Sequence, residues 1–169
     1  MSISEEMRLD MIERIREELK NVSYPQSFYP KSCDNINCMA YAIGAKVPDM
    51  QQNFYFPGGI SGNADTLRPT EMVENFIKDM EVLGIQAKVI TREQAKEPNQ
   101  DGIQTVALFY SYERNDFHCI RRDKRNGWSH KLGYENEPKK LAYNCERIFE
   151  RDDCWIVYDL VAFFNLSSL

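Results

Sequence analysis

The sequence predicts an α+β fold in which N-terminal helices pack on one side of an antiparallel β-sheet. Apolar residues recur at helical spacing in the first half of the chain. The second half holds short apolar or alternating segments that are separated by turn residues. Helices that precede a run of hairpin-linked strands are typical of this fold class.

Three helices are expected, each marked by its apolar face or by its ends. Residues 1–21 contain an N-terminal amphipathic helix with Ser4 as its N-cap. A short helix over 37–43 stops at a glycine, and a third helix over 70–83 is capped by Thr70. The apolar face of the first helix repeats at every fourth position, at Met7, Met11, Ile15 and Leu19.

The expected strands lie at 85–91, 103–112, 117–122, 128–131 and 154–164. The apolar centre of 103–112 predicts a central position in the sheet. Asn126 and Gly127 lie between the third and fourth strands, which predicts a hairpin there. The preceding segment 46–69 is rich in proline and glycine and is expected to be a long loop, with 54–56 pairing briefly as a strand.

Length and composition fit a single globular domain over residues 1–169. Hydrophobic residues make up 43% and aromatic residues 12% of the 19.8 kDa chain, which is enough apolar surface to bury one sizeable core. The net charge of −5 argues against a general nucleic-acid binder. It argues equally against a protein that binds an anionic membrane or cell-wall surface.

Several sequence features concern the compartment. No apolar run reaches the ~18 residues of a membrane span. The N-terminus is charged and lacks the apolar region of a secretory signal. A cytoplasmic location is therefore expected, either in the producing cell or in a host into which the protein is delivered. The five cysteines are an odd number, which favours free thiols over a disulfide framework.

Cys38 is a candidate nucleophile because it lies at the start of the short helix over 37–43. The positive end of a helix dipole favours a thiolate, and the free amides of the first turn can hold an oxyanion. The alternative is that Cys38 is a small buried side chain of a core helix.

His118 and His130 are the only histidines, and both fall on the predicted hairpin. With the turn centred near Lys124 and Arg125, His118 is expected opposite about Lys131, beside His130. A polar group that orients a basic imidazole completes a set of nucleophile, base and orienting residue. The alternative is that the two histidines are unrelated, one packed and one solvated.

The order Cys38, His118, His130 resembles the NlpC/P60 branch of the papain-like cysteine peptidases and amidases. In that family a cysteine at a helix N-terminus is followed by a histidine that opens a strand, and often by a second histidine on the next strand. The resemblance spans residues 35–131 and rests mainly on the cysteine segment and on the stretch DFHCIRRDKRNGWSHKLGY. The nucleophile segment reads Asn-Cys-Met-Ala, where the family usually has Asp-Cys-Ser-Gly.

The resemblance implies a papain-like fold and a Cys-His-His triad that cleaves amide or peptide bonds, or transfers the acyl group. Peptidoglycan is the commonest substrate of the family, and a peptide, a protein or a small cytosolic amide are further candidates. No cofactor or metal is implied. The oxyanion would be held by the Cys38 amide together with Asn35, Asn37 or Tyr29. Tyr41 and Trp128 would line the cleft, and the loop of Pro57, Gly58 and Gly59 would cover it.

Other residue groups support weaker hypotheses. A zinc site from His118, His130 and either Cys38 or Cys119 lacks the closely spaced ligand pairs of known zinc motifs. No glycine-rich phosphate-binding motif is present. Cys33 is either a redox partner of Cys38 or incidental. A basic cluster at the hairpin tip is either a solvated turn or a contact patch for an acidic partner; it comprises Arg121, Arg122, Lys124 and Arg125.

A second class of function stays open. A small acidic protein rich in tyrosine can act as an inhibitor, immunity or effector protein that binds a partner and keeps its cysteines buried. Such a protein has no need of the ordered cysteine and histidines. Exposure and reactivity of Cys38 distinguish the two hypotheses.

Overall fold

The computed structural model describes residues 3–31, 35–49, 53–134, 137–141 and 158–169. Its helices are α1 (Glu5–Leu19), α2 (Cys38–Ile43), α3 (Met72–Val82) and α4 (Arg92–Lys96), and a 3-10 turn spans Pro69–Glu71. Its strands are β1 (Ile85–Ile90), β2 (Gln104–Ser111), β3 (Asp116–Arg122), β4 (Trp128–His130), β5 (Lys139–Lys140) and β6 (Asp159–Ser168).

The described strands form one six-stranded sheet in the order β1-β6-β2-β3-β4-β5. Every neighbouring pair is antiparallel. Strand β2 lies between β6 and β3 and is buried along its whole length, which confirms the predicted central strand. The antiparallel α+β class is thus confirmed.

The sheet buries a separate core on each face. The larger core holds side chains of α1, α2 and α3, including Ile15, Met39 and Phe76, packed on Leu108 and Phe164. The smaller core on the opposite face holds Ile90, Ala95, Ala107, Phe109, Ile120, Trp128, Tyr158 and Phe163. Successive side chains of a strand point to opposite faces, and for this reason each central strand serves both cores.

Helix α4 corrects the prediction that the helices pack on one side of the sheet. The sequence analysis does not predict this helix, whose Ala95 is completely buried in the smaller core. Thr91 and Gln94 form a reciprocal capping box that starts the helix. Five residues are too few to show a helical period in the sequence.

Several helix ends confirm or correct their predictions. The Ser4 side chain accepts from the Met7 amide, as expected of the N-cap, and Gly44 ends α2 in the left-handed region with φ of 89°. Thr70 does not cap α3, because a 3-10 turn begins at Pro69 and α3 itself begins at Met72.

Two predicted strands also differ from the structure. Residues 54–56 form a bend rather than a strand, and a turn follows them. For the last strand, predicted at 154–164, residues 154–157 lie outside the described part of the chain, and β6 continues to Ser168. It does so because pairing with β1 extends through Leu166 and Ser167. Within the described residues, no helix has the length and apolar character needed to cross a membrane.

The loop over 53–64 is held against α2 and α3 by buried carboxylates. Asp79 of α3 accepts hydrogen bonds from the Gly58 amide at 2.7 Å and the Ser61 amide at 2.8 Å. Asp49 accepts from the Phe54 amide at 2.7 Å. Because Asn37 donates from its amide nitrogen to the Tyr55 carbonyl, the loop lies beside the N-terminus of α2.

Candidate active site

Cys38 is the first residue of α2, and its neighbour Asn37 caps the helix. The Asn37 side-chain oxygen accepts from the Met39 and Ala40 amides, both at 3.1 Å. The first-turn amides of a helix have no partner within it, so this cap leaves the Cys38 amide as the remaining donor of the first turn. The donor lies on the same residue as the candidate nucleophile.

Strand β3 presents its two key residues to opposite faces of the sheet. Cys119 lies in the larger core with Cys38, on the face that carries α2. His118 is the preceding residue, so strand alternation directs it to the face of the smaller core. Strand β4 ends at His130, and its described pairs with β3 reach only Arg121. A side chain from α2 can therefore contact both His118 and Cys119 at this edge of β3.

The two histidines are directly hydrogen-bonded, with 3.0 Å between His118 Nε2 and His130 Nδ1. Their rings meet edge to face at a centroid distance of 5.1 Å, and both side chains are buried. The observed pairs join Arg121 to Ser129 and Arg122 to Trp128. In the predicted register, His118 lies opposite Lys131. The observed register is shifted by one residue, so His118 and His130 are diagonal neighbours on one face of the sheet.

The turn geometry explains this register. The Asp123 amide donates to the Gly127 carbonyl at 2.7 Å, and Asn126 takes a left-handed conformation with φ of 69°. The loop is therefore centred on Arg125 rather than between Lys124 and Arg125. A shift of one residue changes the face of each paired side chain.

The Cys38 thiol is strongly acidic despite its burial. Burial raises its pKa, but a hydrogen bond from the Cys119 thiol, the positive charge of His118 and a hydrogen bond with His118 outweigh burial and lower the pKa to about 5. The Cys119 amide contributes a further hydrogen bond. The predicted thiolate is thus stabilised mainly by groups on β3.

His130 is held in its neutral form. Burial, the nearby charge of His118 and that of Lys139 lower its pKa to about 3. A neutral His130 can accept at Nδ1 the proton that His118 carries on Nε2. Since Nε2 of His118 is engaged in this way, Nδ1 is the ring nitrogen available to the Cys38 thiol.

The predicted oxyanion residues are arranged differently from the expectation. Asn37 is buried, and its polar atoms serve the helix cap and the Tyr55 carbonyl. Asn35 contributes backbone bonds, donating to the Tyr134 carbonyl and accepting from the Asp49 amide. Tyr29 is 59% exposed on the surface, where the Lys31 ammonium lies over its ring. The oxyanion role of Tyr29 stays a prediction.

The predicted cleft walls are core residues instead. The Tyr41 hydroxyl lies 2.7 Å from the Ser129 hydroxyl, and the Arg121 guanidinium stacks on the Tyr41 ring at 3.9 Å. Trp128 is 1% exposed and packs near Phe163 in the smaller core. Both aromatic rings are enclosed by the packing of the sheet, so neither lines an open cleft.

Two tyrosines that the sequence pattern does not single out lie near other residues of the candidate site. The Tyr134 hydroxyl accepts from the Asn37 amide nitrogen at 3.3 Å and donates to Asp49 at 3.4 Å. Burial, Asp49 and then the charge of Cys38 raise its pKa. The Tyr158 ring lies 6.0 Å from that of His118. No spacing rule links these tyrosines to Cys38, and only the fold brings them there.

A buried polar cluster fixes α2 on the sheet. Arg121 donates to the Tyr41 carbonyl at 3.0 Å and forms an ion pair with Asp123 at 3.1 Å. Lys131 is fully buried and donates to the Ile36 carbonyl, just before α2, at 2.8 Å. Arg121 and Arg122 are both buried, so the predicted basic patch at the hairpin tip is reduced to its exposed residues, Lys124 and Arg125.

Further candidates from the sequence have different outcomes. Among the described residues, no group of three histidine, cysteine or acidic side chains is placed to hold a metal ion. Cys38 and Cys119 are free thiols. Cys33 lies outside the described residues, as do residues 135–136, which follow Tyr134.

Comparisons with known proteins gave no match that accompanies the resemblance in residue order. Family models, curated proteins and solved structures all yielded no match to this chain. The candidate site therefore depends on the geometry of Cys38, His118 and His130.

Proposed function

We propose that this protein is a cysteine-dependent hydrolase or acyltransferase of amide bonds, with a papain-like arrangement of the NlpC/P60 type. Cys38 is the nucleophile, His118 the general base and acid, and His130 the residue that orients His118. The observation that carries the proposal is the continuous chain of contacts from an acidic buried thiol through one imidazole to a second, neutral imidazole.

The proposed reaction begins with attack of the Cys38 thiolate on a carbonyl carbon. The carbonyl oxygen becomes an oxyanion, which the Cys38 amide can stabilise. His118 gives its proton to the leaving amine, and the acyl group stays on the sulfur as a thioester. His118 then removes a proton from water, or from another acceptor nucleophile, whose attack releases the acyl group and restores the thiolate.

His130 supports both proton transfers without titrating itself. Its neutral imidazole accepts from the His118 imidazolium, which fixes the ring and stabilises its positive charge. Because burial keeps the pKa of His130 far below that of an ordinary histidine, His130 stays neutral and keeps its role as acceptor. The candidate substrates are a peptide, a protein or a small amide.

A binding function without catalysis is the second candidate, and burial favours it. Cys38 is 6%, His118 4% and His130 5% exposed, so a substrate would reach the sulfur only if the surface near it opens. A partner-binding protein of the effector or immunity type would require no such opening. The reactivity of the Cys38 thiol distinguishes the two functions.

The decisive experiment follows the rate of iodoacetamide alkylation of each cysteine against pH, resolved by peptide mass spectrometry. A thiol reacts as its thiolate, so Cys38 should reach half of its maximal rate near pH 5. In His118→Ala the stabilising charge is lost, and the midpoint should move up towards the ~8.5 of an ordinary thiol. Turnover of a panel of peptide and amide substrates should disappear in Cys38→Ala.

The controls separate chemistry from folding. Each variant should keep the circular dichroism spectrum and thermal midpoint of the parent within a few degrees. A Cys38 that stays unmodified over the whole pH range, or whose rate does not change in His118→Ala, would overturn the catalytic proposal. In that case, affinity capture of a partner would become the first test of the binding function.

A further inference from the structure

We propose that Cys38 and Cys119 form a redox pair, in which peroxide oxidises Cys38 and Cys119 then closes a reversible disulfide that switches the site off. The inference rests on the proposed function, since it concerns the regulation of the same nucleophile. It adds a modification site and an oxidant class to a hydrolytic mechanism that requires neither.

The packing of α2 on β3 places the two thiols together. Cys38 is the first residue of α2, and Cys119 is the β3 residue that faces this helix. The Cys119 thiol donates a hydrogen bond to the Cys38 sulfur, and neither cysteine is in a disulfide. Strand alternation directs His118 to the other face of the sheet, so Cys119 is the neighbouring β3 residue on the face that carries α2.

The two thiols have opposite pKa shifts, as oxidation of one thiol followed by disulfide closure with the other requires. Burial raises the pKa of Cys119, and the hydrogen bond and charge of Cys38 raise it further, so Cys119 stays protonated while Cys38 is a thiolate. An acidic thiolate beside a second cysteine is the usual arrangement of a peroxide-sensitive site.

The reaction balances in two steps. In the first, the Cys38 thiolate attacks a peroxide oxygen, the S–O bond forms, the O–O bond breaks, and hydroxide or alkoxide leaves and takes up a proton. Cys38 is oxidised by two electrons to a sulfenic acid, and the peroxide is reduced. In the second, the Cys119 sulfur attacks the Cys38 sulfur, the S–S bond forms, the S–O bond breaks, and the Cys119 proton leaves with the hydroxyl group as water.

Oxidation of Cys38 itself activates Cys119. The sulfenic acid is neutral, so the negative charge that raised the pKa of Cys119 is gone after the first step. The second thiol therefore becomes a better nucleophile only once its target is formed. A small dithiol or monothiol reverses the disulfide by exchange and restores the Cys38 thiolate.

The test treats the folded, full-length chain with hydrogen peroxide and maps its disulfides by mass spectrometry under non-reducing conditions. Trypsin leaves Cys33 and Cys38 in one peptide, so digestion with a protease that cuts before Asp34 is added to separate them. The expected product joins the Cys38 peptide to the Cys119 peptide. Iodoacetamide labelling of Cys38 should be lost with peroxide and fully recovered with dithiothreitol.

Two matched variants sharpen the result. Cys33→Ser removes the nearest alternative cysteine in the sequence and should leave the cross-link unchanged. Cys119→Ser keeps a hydrogen-bond donor but cannot form the disulfide, so peroxide should drive Cys38 irreversibly to the sulfinic acid. Cys119→Ala provides the same test should serine be poorly accepted in the core.

Several outcomes would overturn the redox pair. In the first, Cys38 of the wild-type protein becomes sulfinic acid as fast as it does in Cys119→Ser. In the second, Cys38 forms a disulfide with a cysteine other than Cys119. In the third, peroxide leaves Cys38 unchanged. The cross-link is measured without substrate, so it is independent of amide turnover. A cross-link without turnover would contradict the hydrolase proposal and support the redox pair. Turnover without a cross-link would support the hydrolase proposal and contradict the redox pair.

Discussion

Two adjacent residues, His118 and Cys119, divide the candidate site between the faces of the sheet. Cys119 meets α2 directly, whereas His118 lies with His130 on the other face. The Cys38 thiol nevertheless interacts with both residues, and the described pairing of β3 with β4 stops at Arg121, before it reaches them. The chemistry thus depends on where a short strand ends as much as on which residues it carries.

His130 can be tested as a positioning residue. His130→Ala removes the acceptor of the His118 Nε2 proton, and we expect kcat to fall roughly 10²-fold, within the range of general acid–base catalysis. His130→Asn keeps an acceptor oxygen and should recover part of this loss. KM should change little in either variant, because His130 is buried behind His118.

Steady-state kinetics and the Cys38 alkylation profile check this prediction together. A purely structural role would lower thermal stability equally in both variants and leave the activities of the folded fractions equal. Equal kcat values for the alanine and asparagine variants would therefore contradict the orienting role.

The candidate triad could be predicted from the sequence because its chemistry depends on residue type and order. The supporting residues could not, since their roles depend on exposure. Tyr41 and Trp128 have suitable side chains for a cleft, but packing encloses both of them. Tyr134 has no distinguishing pattern, and its place near Cys38 follows from a chain reversal after β4.

At the scale of elements, the loop over 53–64 fixes one side of α2. Asp79 holds two of its amides, and Asn37 of the α2 cap binds the Tyr55 carbonyl. The helices before and after this loop, α2 and α3, were predictable from their apolar residues and from the glycine that follows each of them. The loop was predicted only as irregular, because its shape depends on buried carboxylates that are distant in sequence.

A substitution at Gly59 tests how tightly the loop over 53–64 is packed. A Cβ atom on Gly59 would overlap the Phe54 carbonyl oxygen, a backbone atom that can yield only if the loop moves. We expect Gly59→Ala to lower the free energy of unfolding by about 1–3 kcal/mol, the usual cost of overpacking. Denaturant unfolding measures the change.

Gly127→Ala is the matched control, since a Cβ atom there meets nothing within 4 Å. Its free energy of unfolding should stay within about 0.5 kcal/mol of the parent, as for ordinary surface substitutions. If Gly59→Ala is as stable as this control, the loop is not rigidly held. Slower Cys38 alkylation in Gly59→Ala alone would show that the loop also positions α2.

At the scale of the whole molecule, the C-terminal strand joins the two cores. β6 is inserted between β1 and β2, so the last described residues of the chain occupy an interior position of the sheet. Phe163 packs in the smaller core and Phe164 in the larger one. Sequence analysis predicted a strand here but not its place, because strand order is set by long-range pairing rather than by local pattern.

Deleting residues 159–169 should therefore abolish cooperative folding. The deletion removes every backbone hydrogen bond of β6 to β1 and β2, together with side chains buried in both cores. Loss of one buried phenylalanine side chain costs about 3–5 kcal/mol. Two such losses alone approach the 5–15 kcal/mol by which a typical domain is stable, and the unpaired edges of β1 and β2 add to the cost. The measurement is thermal unfolding by circular dichroism, with amide dispersion in NMR spectra as a second probe of folded structure.

Deletion of Leu169 alone is the matched control, because this residue is 77% exposed and follows the end of β6. Its amide donates to the Gly84 carbonyl at 3.1 Å, so the control should lose only about 1 kcal/mol, the net value of one hydrogen bond. A cooperative transition in the longer deletion would mean that β1 and β2 can close the sheet without β6. The two cores would then be independent, and the site on β3 would tolerate loss of the C-terminal strand.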